Sequence, residues 1–340
     1  MSLADLWFVL FILIVAGYLV LDGFDLGVGI LHPFVARTDG ERRVVLNAIG
    51  PIWDGNEVWL VVAGGVLFGA FPIVYAALFS GFYAAMMLVL FSLILRTVAI
   101  EFRSKMAPSR WRELWDAVFF LASLGIAVLL GVALGNIVRG IPINEQGDVS
   151  ITSILDLLNP FALLVGLTTI VMVTMHGALY LNLKTEGALQ ERVQRVVPVA
   201  MVVFAVLAAL TGAAVFLNQD PISDAYLANP WRFIFPIAAA AAFGGAWIMF
   251  QRRREALALA LSGGVIALLL VSVGAGLYPN LLISTTDPAF NMTTANAASA
   301  DNTLTILLIV AIIGIPFVLA YTSGVYYFFR GKVRLTHDSY

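Results

Sequence analysis

The chain has 340 residues, of which 61 % are apolar and 12 % are charged. Soluble domains average about 45 to 50 % apolar and about 25 % charged residues, so this composition excludes an ordinary soluble protein and indicates a polytopic membrane protein. The net charge of -2 argues against a nucleic-acid partner, and the absence of cysteine excludes disulfides, thiolate metal sites and cysteine-ligated iron–sulfur clusters.

Nine apolar runs are long enough to cross about 30 Å of hydrocarbon. The first follows Asp5 instead of a basic segment and lacks a small-residue cleavage site, so we predict a retained helix and not a signal peptide. The connections are short, which excludes an extramembrane catalytic domain. We therefore predict an all-α protein with a single transmembrane domain over 1–340. The nine predicted helices cover about 6–31, 47–71, 75–100, 114–138, 160–183, 196–217, 231–250, 257–279 and 303–329.

Positive charge is distributed unevenly across the predicted bilayer. Of the 19 Lys and Arg residues, Arg139 and Arg232 lie on one side, Arg96 lies inside a span, and all the others lie on the opposite side. Cytoplasmic loops are enriched in positive charge, so we predict the N-terminus outside and the C-terminus inside. We expect two four-helix halves, formed by predicted helices 1 to 4 and 5 to 8, with the ninth helix peripheral.

The first two predicted helices each carry a pair of acidic residues. Asp22 and Asp25 are three residues apart and share a helix face, and Asp54 and Glu57 form a similar pair near the inner end of the second helix. An ionisable side chain inside a span costs about 2.5 to 3.5 kcal/mol on insertion scales, so such groups indicate function. The alternative is that each pair only caps its helix or hydrogen-bonds a neighbouring helix.

The third predicted helix carries Arg96 more than a turn inside the membrane, and Glu101 and Lys105 where it leaves the membrane. Arg96 is always charged and needs a partner among the four acids of the first two helices. Four carboxylates around one arginine leave excess negative charge, so at least one of them can take up and release a proton. These residues predict a proton route from the cytoplasm. Glu101 and Lys105 also have the spacing of a weak, solvated ion pair.

Only one histidine, His176, lies within a predicted span, because His32 ends the first helix and His337 lies in the tail. His176 could be a haem ligand, with a methionine nearby. A lone intramembrane histidine is more often hydrogen-bonded to a neighbouring helix, and this is the interpretation we favour. The sequence shows no phosphate-binding loop, no serine nucleophile motif and no metal cluster, so we predict no metal site in this chain.

Three motifs in this part of the chain resemble a known family. They are Asp22-Gly23-Phe24-Asp25-Leu26-Gly27-Val28-Gly29, Trp53-Asp54-Gly55-Asn56-Glu57-Val58-Trp59, and Arg103-Ser104-Lys105 with Trp111-Arg112. In order and spacing they resemble subunit II of the cytochrome bd quinol oxidases, and the resemblance covers essentially the whole chain. It implies a terminal respiratory oxidase of the bacterial cytoplasmic (inner) membrane that oxidises quinol and reduces dioxygen to water.

The resemblance also implies a division of labour between two subunits. Subunit I would ligate two haems b and one haem d, and the chain studied would be a haem-free scaffold that packs against it. The family's proton route from the cytoplasm maps onto Asp54, Glu101 and Lys105. Position 57 varies between Gln and Glu in the family, and Trp59 resembles a lipid-side entrance for dioxygen. The resemblance also allows small accessory subunits in the complex, and a structural quinone or lipid bound to this chain.

Two other functions compete with this interpretation. A proton-coupled secondary transporter would also need buried carboxylates and glycine-rich helices, although the chain shows no paired broken helices and its acids lie near the inner surface. A purely structural assembly subunit would differ in that mutations of the acids would change stability and never turnover. A transporter should work without a haem-bearing partner, which distinguishes it from an oxidase subunit.

Overall fold

The computed structural model describes residues 2–151, 153–218 and 220–335, and this part of the chain is almost wholly helical. The predicted all-α class is therefore confirmed. His337 lies outside the described residues. The helices are α1 (Leu3–Val35), α2 (Asp39–Ile49), α3 (Trp53–Ala70), α4 (Pro72–Gly81), α5 (Tyr83–Phe102), α6 (Ser109–Arg139), α7 (Pro160–Lys184), α8 (Gly187–Asn218), α9 (Asp220–Ala228), α10 (Ile234–Gln251), α11 (Glu255–Leu277) and α12 (Asp301–Phe328).

Eight helices among the described residues are long and apolar enough to cross a membrane, namely α1, α5, α6, α7, α8, α10, α11 and α12. They correspond to eight of the nine predicted spans. The second predicted span is represented by α3, a helix of 18 residues that is not among the eight. Its first turns carry Asp54, Asn56 and Glu57, which lower its apolar character. The predicted count of nine spans therefore depends on α3.

The third predicted helix, 75–100, is two helices in the structure. Helix α4 ends at Gly81 and α5 begins at Tyr83, with Phe82 between them. A Cβ atom on Gly81 would lie 2.5 Å from Val149, so the glycine lets the connection between α6 and α7 pack closely against this break. The prediction of one continuous helix is wrong here, because the only turn signal is the pair Ser80-Gly81, and a single glycine is also tolerated inside helices.

Two helices occupy segments that we expected to be connections. Helix α2 begins with a capping box, in which the Thr38 hydroxyl accepts from the Glu41 amide and the Glu41 carboxylate accepts from the Thr38 amide. Helix α9 lies between α8 and α10. A short antiparallel pair of strands, β1 (Asn280–Leu282) and β2 (Met292–Thr293), lies in the connection between α11 and α12.

Helix α1 lies at the centre of the bundle, where it packs against α3, α6, α7 and α11. Its contact with α7 is very close, because a Cβ atom on Gly27 would lie 1.9 Å from the Val173 carbonyl oxygen. Because α1 and α6 both pack against α7, the two predicted four-helix halves share a continuous core. Helix α12 lies at the edge, as expected for the ninth helix: 6 % of its most apolar stretch is buried, against 61 % in α7.

The basic segments gather at one end of the bundle, which we call the basic end. There Arg192 pairs with Glu41, and the Val333 amide donates to the Lys184 carbonyl at 2.8 Å. The opposite end holds the strands β1 and β2, and there Thr294 donates to Asp5 at 3.0 Å. The uneven charge distribution along the sequence is therefore a separation between two ends of the folded chain.

Candidate functional site

A group of charged and polar side chains from α1, α3 and α5 meets inside the apolar bundle. We call Asp22, Asp25, Asn56, Glu57 and Arg96 the Arg96 cluster. The two aspartates lie on one face of α1, the two α3 residues lie in its first turns, and Arg96 lies within α5. The helical spacing predicted that each acidic pair shares a face. Which acids meet Arg96 depends on how the three helices are rotated against one another.

Arg96 forms ion pairs with two of its four predicted partners. Its Nη2 donates to Asp22 Oδ1 at 2.7 Å and to Glu57 Oε2 at 3.0 Å. The Arg96 and Asp22 side chains are 1 % and 0 % exposed, and that of Glu57 is 19 % exposed. A buried guanidinium is compensated by carboxylates because an unpaired charge in the interior is very costly. The cluster therefore holds two carboxylates on one cation.

Asp25 lies in the same cluster but has a different partner. Asn56 Nδ2 donates to Asp25 Oδ2 at 2.7 Å, and the hydroxyl of Tyr326 on α12 donates to Asn56 Oδ1 at 2.8 Å. Asn56 and Tyr326 also line a cavity of about 20 Å³ between α3 and α12, which is room for one water molecule. We did not single out either residue from the sequence, since an amide and a phenol in apolar helices carry no distinctive pattern.

Several buried polar atoms of this region have no hydrogen-bond partner among the described residues. They are Asp25 Oδ1, Trp59 Nε1, and Arg96 Nε and Nη1. Buried polar atoms normally have a partner, either protein or water. The cluster therefore has spare donors and acceptors that could bind water in the interior.

The three residues expected at the entrance of a proton route lie at the basic end. Asp54 is exposed in the first turn of α3, Glu101 is half-buried in the last turn of α5, and Lys105 is exposed. Helix α5 ends at Phe102, and Lys105 belongs to the one-turn 3₁₀ helix Arg103–Lys105. The α-helical spacing that we assumed for Glu101 and Lys105 is therefore wrong, because the helix ends between them.

A second charged cluster at the basic end was missed from the sequence. We call His32, Asp39, Arg42, Arg103 and Asp116 the Asp116 cluster. Asp116 accepts from Arg103 Nε at 2.5 Å and from Arg42 Nη1 at 2.7 Å, and His32 Nε2 lies 2.6 Å from it. In the predicted helix 114–138 Asp116 is the third residue, so the sequence does not distinguish it from an ordinary charge near a helix end.

Glu41 lies on α2, outside the membrane-spanning helices, and joins α2 to the beginning of α8. Its carboxylate accepts from Arg192 and from the backbone amides of Arg37 and Thr38. Partial burial by itself would raise the pKa of Glu41, but the hydrogen bonds from Arg192 and from the two amides outweigh it and lower the pKa. The carboxylate is therefore held in its charged form.

The two histidines among the described residues each contact a polar side chain. In His176, Nδ1 lies 2.7 Å from the Ser262 hydroxyl and Nε2 lies 2.9 Å from the Val20 carbonyl oxygen, so both ring nitrogens are occupied. His32 is fully buried and contacts Asp116. The hydrogen bonds that we expected between His176 and neighbouring helices are therefore present. No group of three or more His, Asp or Glu side chains among the described residues could hold a metal ion.

Trp59 lies on α3 beside the Arg96 cluster. Its ring packs against Gly17 of α1, where a Cβ atom would lie 3.1 Å from the ring. Its Nε1 is one of the buried atoms without a partner among the described residues. The glycine thus makes room for a large aromatic side chain between α1 and α3.

The chain matches known proteins over nearly its full length. A family model described as "Cytochrome bd terminal oxidase subunit II" matches residues 3–329. The chain is 36 % identical to the cytochrome bd-I ubiquinol oxidase subunit 2 of Escherichia coli (strain K12), over 98 % of both chains. It is 34 % identical to the cytochrome bd ubiquinol oxidase subunit 2 of Bacillus subtilis (strain 168), over 98 % of this chain and 97 % of the relative.

The fold is also found in a solved structure. A chain in the structure of the bd oxidase from Geobacillus thermodenitrificans superposes with a TM-score of 0.80 at 17 % identity, and the match covers 97 % of this chain and 99 % of that one. These matches extend over nearly the full length. The chain is therefore a multi-pass membrane protein that belongs to the family of cytochrome bd terminal oxidase subunit II.

Proposed function

We propose that this chain is the haem-free subunit of a complex that oxidises quinol and reduces dioxygen to water, and that it supplies protons from the cytoplasm. The observation that carries the proton role is the Arg96 cluster. Two carboxylates on one buried guanidinium, with Asp25 beside them, stand in an otherwise apolar bundle. Such groups are costly in a membrane, which favours a functional role over chance.

The route that we propose begins at the basic end and leads toward the interior. Asp54, Glu101 and Lys105 would receive protons there, and Glu57 would connect the surface to Asp22 and Asp25. Support comes from the partial exposure of Glu57, which lies between exposed Asp54 and buried Asp22 along α3 and α1. The buried polar atoms without a protein partner are suited to bind the water that carries protons between these residues.

The haems belong to the partner in this proposal. Subunit I would hold two haems b and one haem d, which supply electron transfer and dioxygen reduction. Both ring nitrogens of His176 have hydrogen-bond partners, and this supports the assignment. The chain's own contribution is a rigid partner surface and proton uptake.

We further propose that α3 is the ninth crossing, that the basic end faces the cytoplasm and that the N-terminus lies outside. The separation of charge between the two ends supports this orientation. The membrane would be the bacterial cytoplasmic membrane. We also propose that dioxygen enters beside Trp59. The partly buried ring of Trp59 on α3 supports this. Accessory subunits and a structural quinone or lipid are not needed for it.

The experiment measures quinol-driven oxygen consumption per haem d in the purified complex. Asp54→Asn and Glu101→Gln should slow turnover and leave the haem spectrum unchanged, since neither residue touches a haem in this proposal. Glu113→Gln is the matched control, because Glu113 is another exposed acid at the basic end. Parent turnover in both test variants would remove these residues from the route.

Affinity purification of this chain from its own membranes tests the identity of the complex. A second polytopic chain with b-type and haem d absorption bands and oxidase activity should co-purify. A colourless chain that transports a solute without a partner would support the proton-coupled transporter instead. A drop in complex stability without any change in turnover of the acid variants would support a purely structural subunit.

A further inference from the structure

The Asp116 cluster lies directly behind the turn that carries two of the proposed entrance residues. Arg103 is the first residue of the 3₁₀ helix Arg103–Lys105 and follows Glu101 by two positions. Its side chain is buried, with 2 % of the residue exposed. Side chains two positions apart on a helix point to roughly opposite sides. Arg103 therefore anchors the inner side of this turn, and Glu101 lies toward the other side.

The anchor is a dense set of charge-assisted hydrogen bonds. Arg103 Nε and Nη2 donate to the two carboxylate oxygens of Asp116 at 2.5 and 3.2 Å, which is the two-pronged geometry typical of arginine and carboxylate. Nη2 also donates to Asp39 Oδ1 at 2.9 Å. Asp116 is 5 % exposed. A planar guanidinium held by two acids has very little freedom to rotate.

The same carboxylate joins three further parts of the chain. Asp116 is the common partner of His32 at the end of α1, Arg42 on α2 and Arg103 at the end of α5. A separate hydrogen bond, from Trp111 Nε1 to the Phe102 carbonyl oxygen at 2.8 Å, holds the end of α5 from the α6 side. The turn is thus held by Asp116 on its inner side and by Trp111 at the Phe102 carbonyl.

We propose that Asp116 is a positioning residue, which holds Arg103 and thereby fixes the turn that presents Glu101 and Lys105 to the entrance of the proton route. This inference rests on the proposed function. Asp116 itself is buried behind the turn and carries no proton in this scheme. Its effect on turnover depends on geometry, because a displacement of about 1 Å in a reacting group can lower a rate by about a hundredfold.

The test compares variants of the complete complex, with turnover expressed per haem d so that only assembled complex is counted. Asp116→Asn should lower kcat about tenfold and leave the KM for quinol unchanged, since the quinol site is not involved. Asp116→Glu keeps the charge and should retain more of the kcat than Asp116→Asn. Glu255→Gln, which breaks the ion pair with Lys332 elsewhere at the basic end, should have the parent kcat.

A double variant separates positioning from a general loss of structure. If Asp116 acts through Glu101, then Asp116→Asn should slow a Glu101→Gln complex much less than it slows the parent. Equal slowing in both backgrounds would overturn the proposal. Parent kcat in assembled Asp116→Asn, together with a slow Glu101→Gln, would also overturn it and leave the proton route intact. Parent kcat in Glu101→Gln would instead remove Glu101 from the proposed route, and the inference about Asp116 with it.

Asp116→Asn leaves Arg103 and Arg42 short of a buried partner, so it could prevent assembly. Arg103→Lys is the second variant for that case, since it keeps the positive charge and loses the two-pronged geometry. Lower kcat with unchanged KM in assembled Arg103→Lys would support the proposal. Parent kcat, or failure of both variants to assemble, would overturn it and assign the cluster to folding.

Discussion

Replacement of Arg96 tests whether the Arg96 cluster is held together by its charge. In Arg96→Gln, the Asp22 carboxylate, whose side chain is 0 % exposed, and the Glu57 carboxylate, 19 % exposed, both lose their cation. Removing one partner of a buried ion pair costs about 3 to 5 kcal/mol, because it leaves an uncompensated charge. The unpaired Glu57 carboxylate contributes less to this cost than that of Asp22, since water can reach it. We expect the free energy of unfolding to fall by about 3 to 5 kcal/mol.

The assay is denaturant-induced unfolding of the purified complex in lipid bicelles. In the double variant Arg96→Gln/Asp22→Asn, part of the lost stability should return, because the most deeply buried unpaired charge is then absent. Lys332→Gln is the control, since its ion pair with Glu255 is 32 % and 23 % exposed and should contribute about 1 kcal/mol or less. Parent stability in Arg96→Gln, or strictly additive losses in the double variant, would refute the electrostatic explanation.

Three further predictions concern packing, the histidine and the outer charge network. Gly27→Ala should sharply lower the yield of assembled complex, because the new Cβ would lie 1.9 Å from a backbone oxygen of α7. Gly64→Ala is the control and should keep the parent yield, since nothing lies within 4 Å of a Cβ there. Equal yields of the two variants on quantitative immunoblots would contradict the close α1–α7 packing. His176→Ala should leave the haem absorption spectrum unchanged and lower stability by about 1 to 3 kcal/mol through two lost hydrogen bonds. A shifted haem spectrum would show that the histidine is a ligand after all. Glu41 has a pKa below its usual 4.5 in the folded chain, so its stabilisation is complete above about pH 4.5 and is lost as the pH falls through the lower folded value. The protection factors of the α2 amides, which correct hydrogen exchange for its intrinsic pH dependence, should therefore fall below pH 4.5 in the parent and change little in Glu41→Gln.

Features that depend on local sequence were predicted well. The all-α class and eight of the membrane-crossing helices follow from apolar runs, which are a property of consecutive residues. The need of Arg96 for an acidic partner followed from its permanent charge inside a span. The structure gives it Asp22 and Glu57, two of the four candidates. The hydrogen bonds of His176 could be anticipated, because a lone histidine inside a membrane usually hydrogen-bonds a neighbouring helix.

Features that depend on contacts between distant segments were not predicted. The Asp116 cluster joins residues from α1, α2, the end of α5 and α6, and each of them looked like an ordinary charge near a helix end. Tyr326 reaches Asn56 across 270 positions of sequence. The break at Phe82 coincides with close packing of Val149 against Gly81, and the sequence does not show that contact.

By itself the sequence determined that the chain is a polytopic membrane protein, which of its segments are apolar enough to span a bilayer, and that acids and an arginine are placed inside them. Hydrophobicity and charge act residue by residue, so a linear pattern is enough to establish these properties. Only the tertiary structure decided which acid meets Arg96 and that Asp116 holds the turn after Glu101. Those pairings depend on the rotation and depth of each helix against its neighbours, and close packing across the whole bundle sets both.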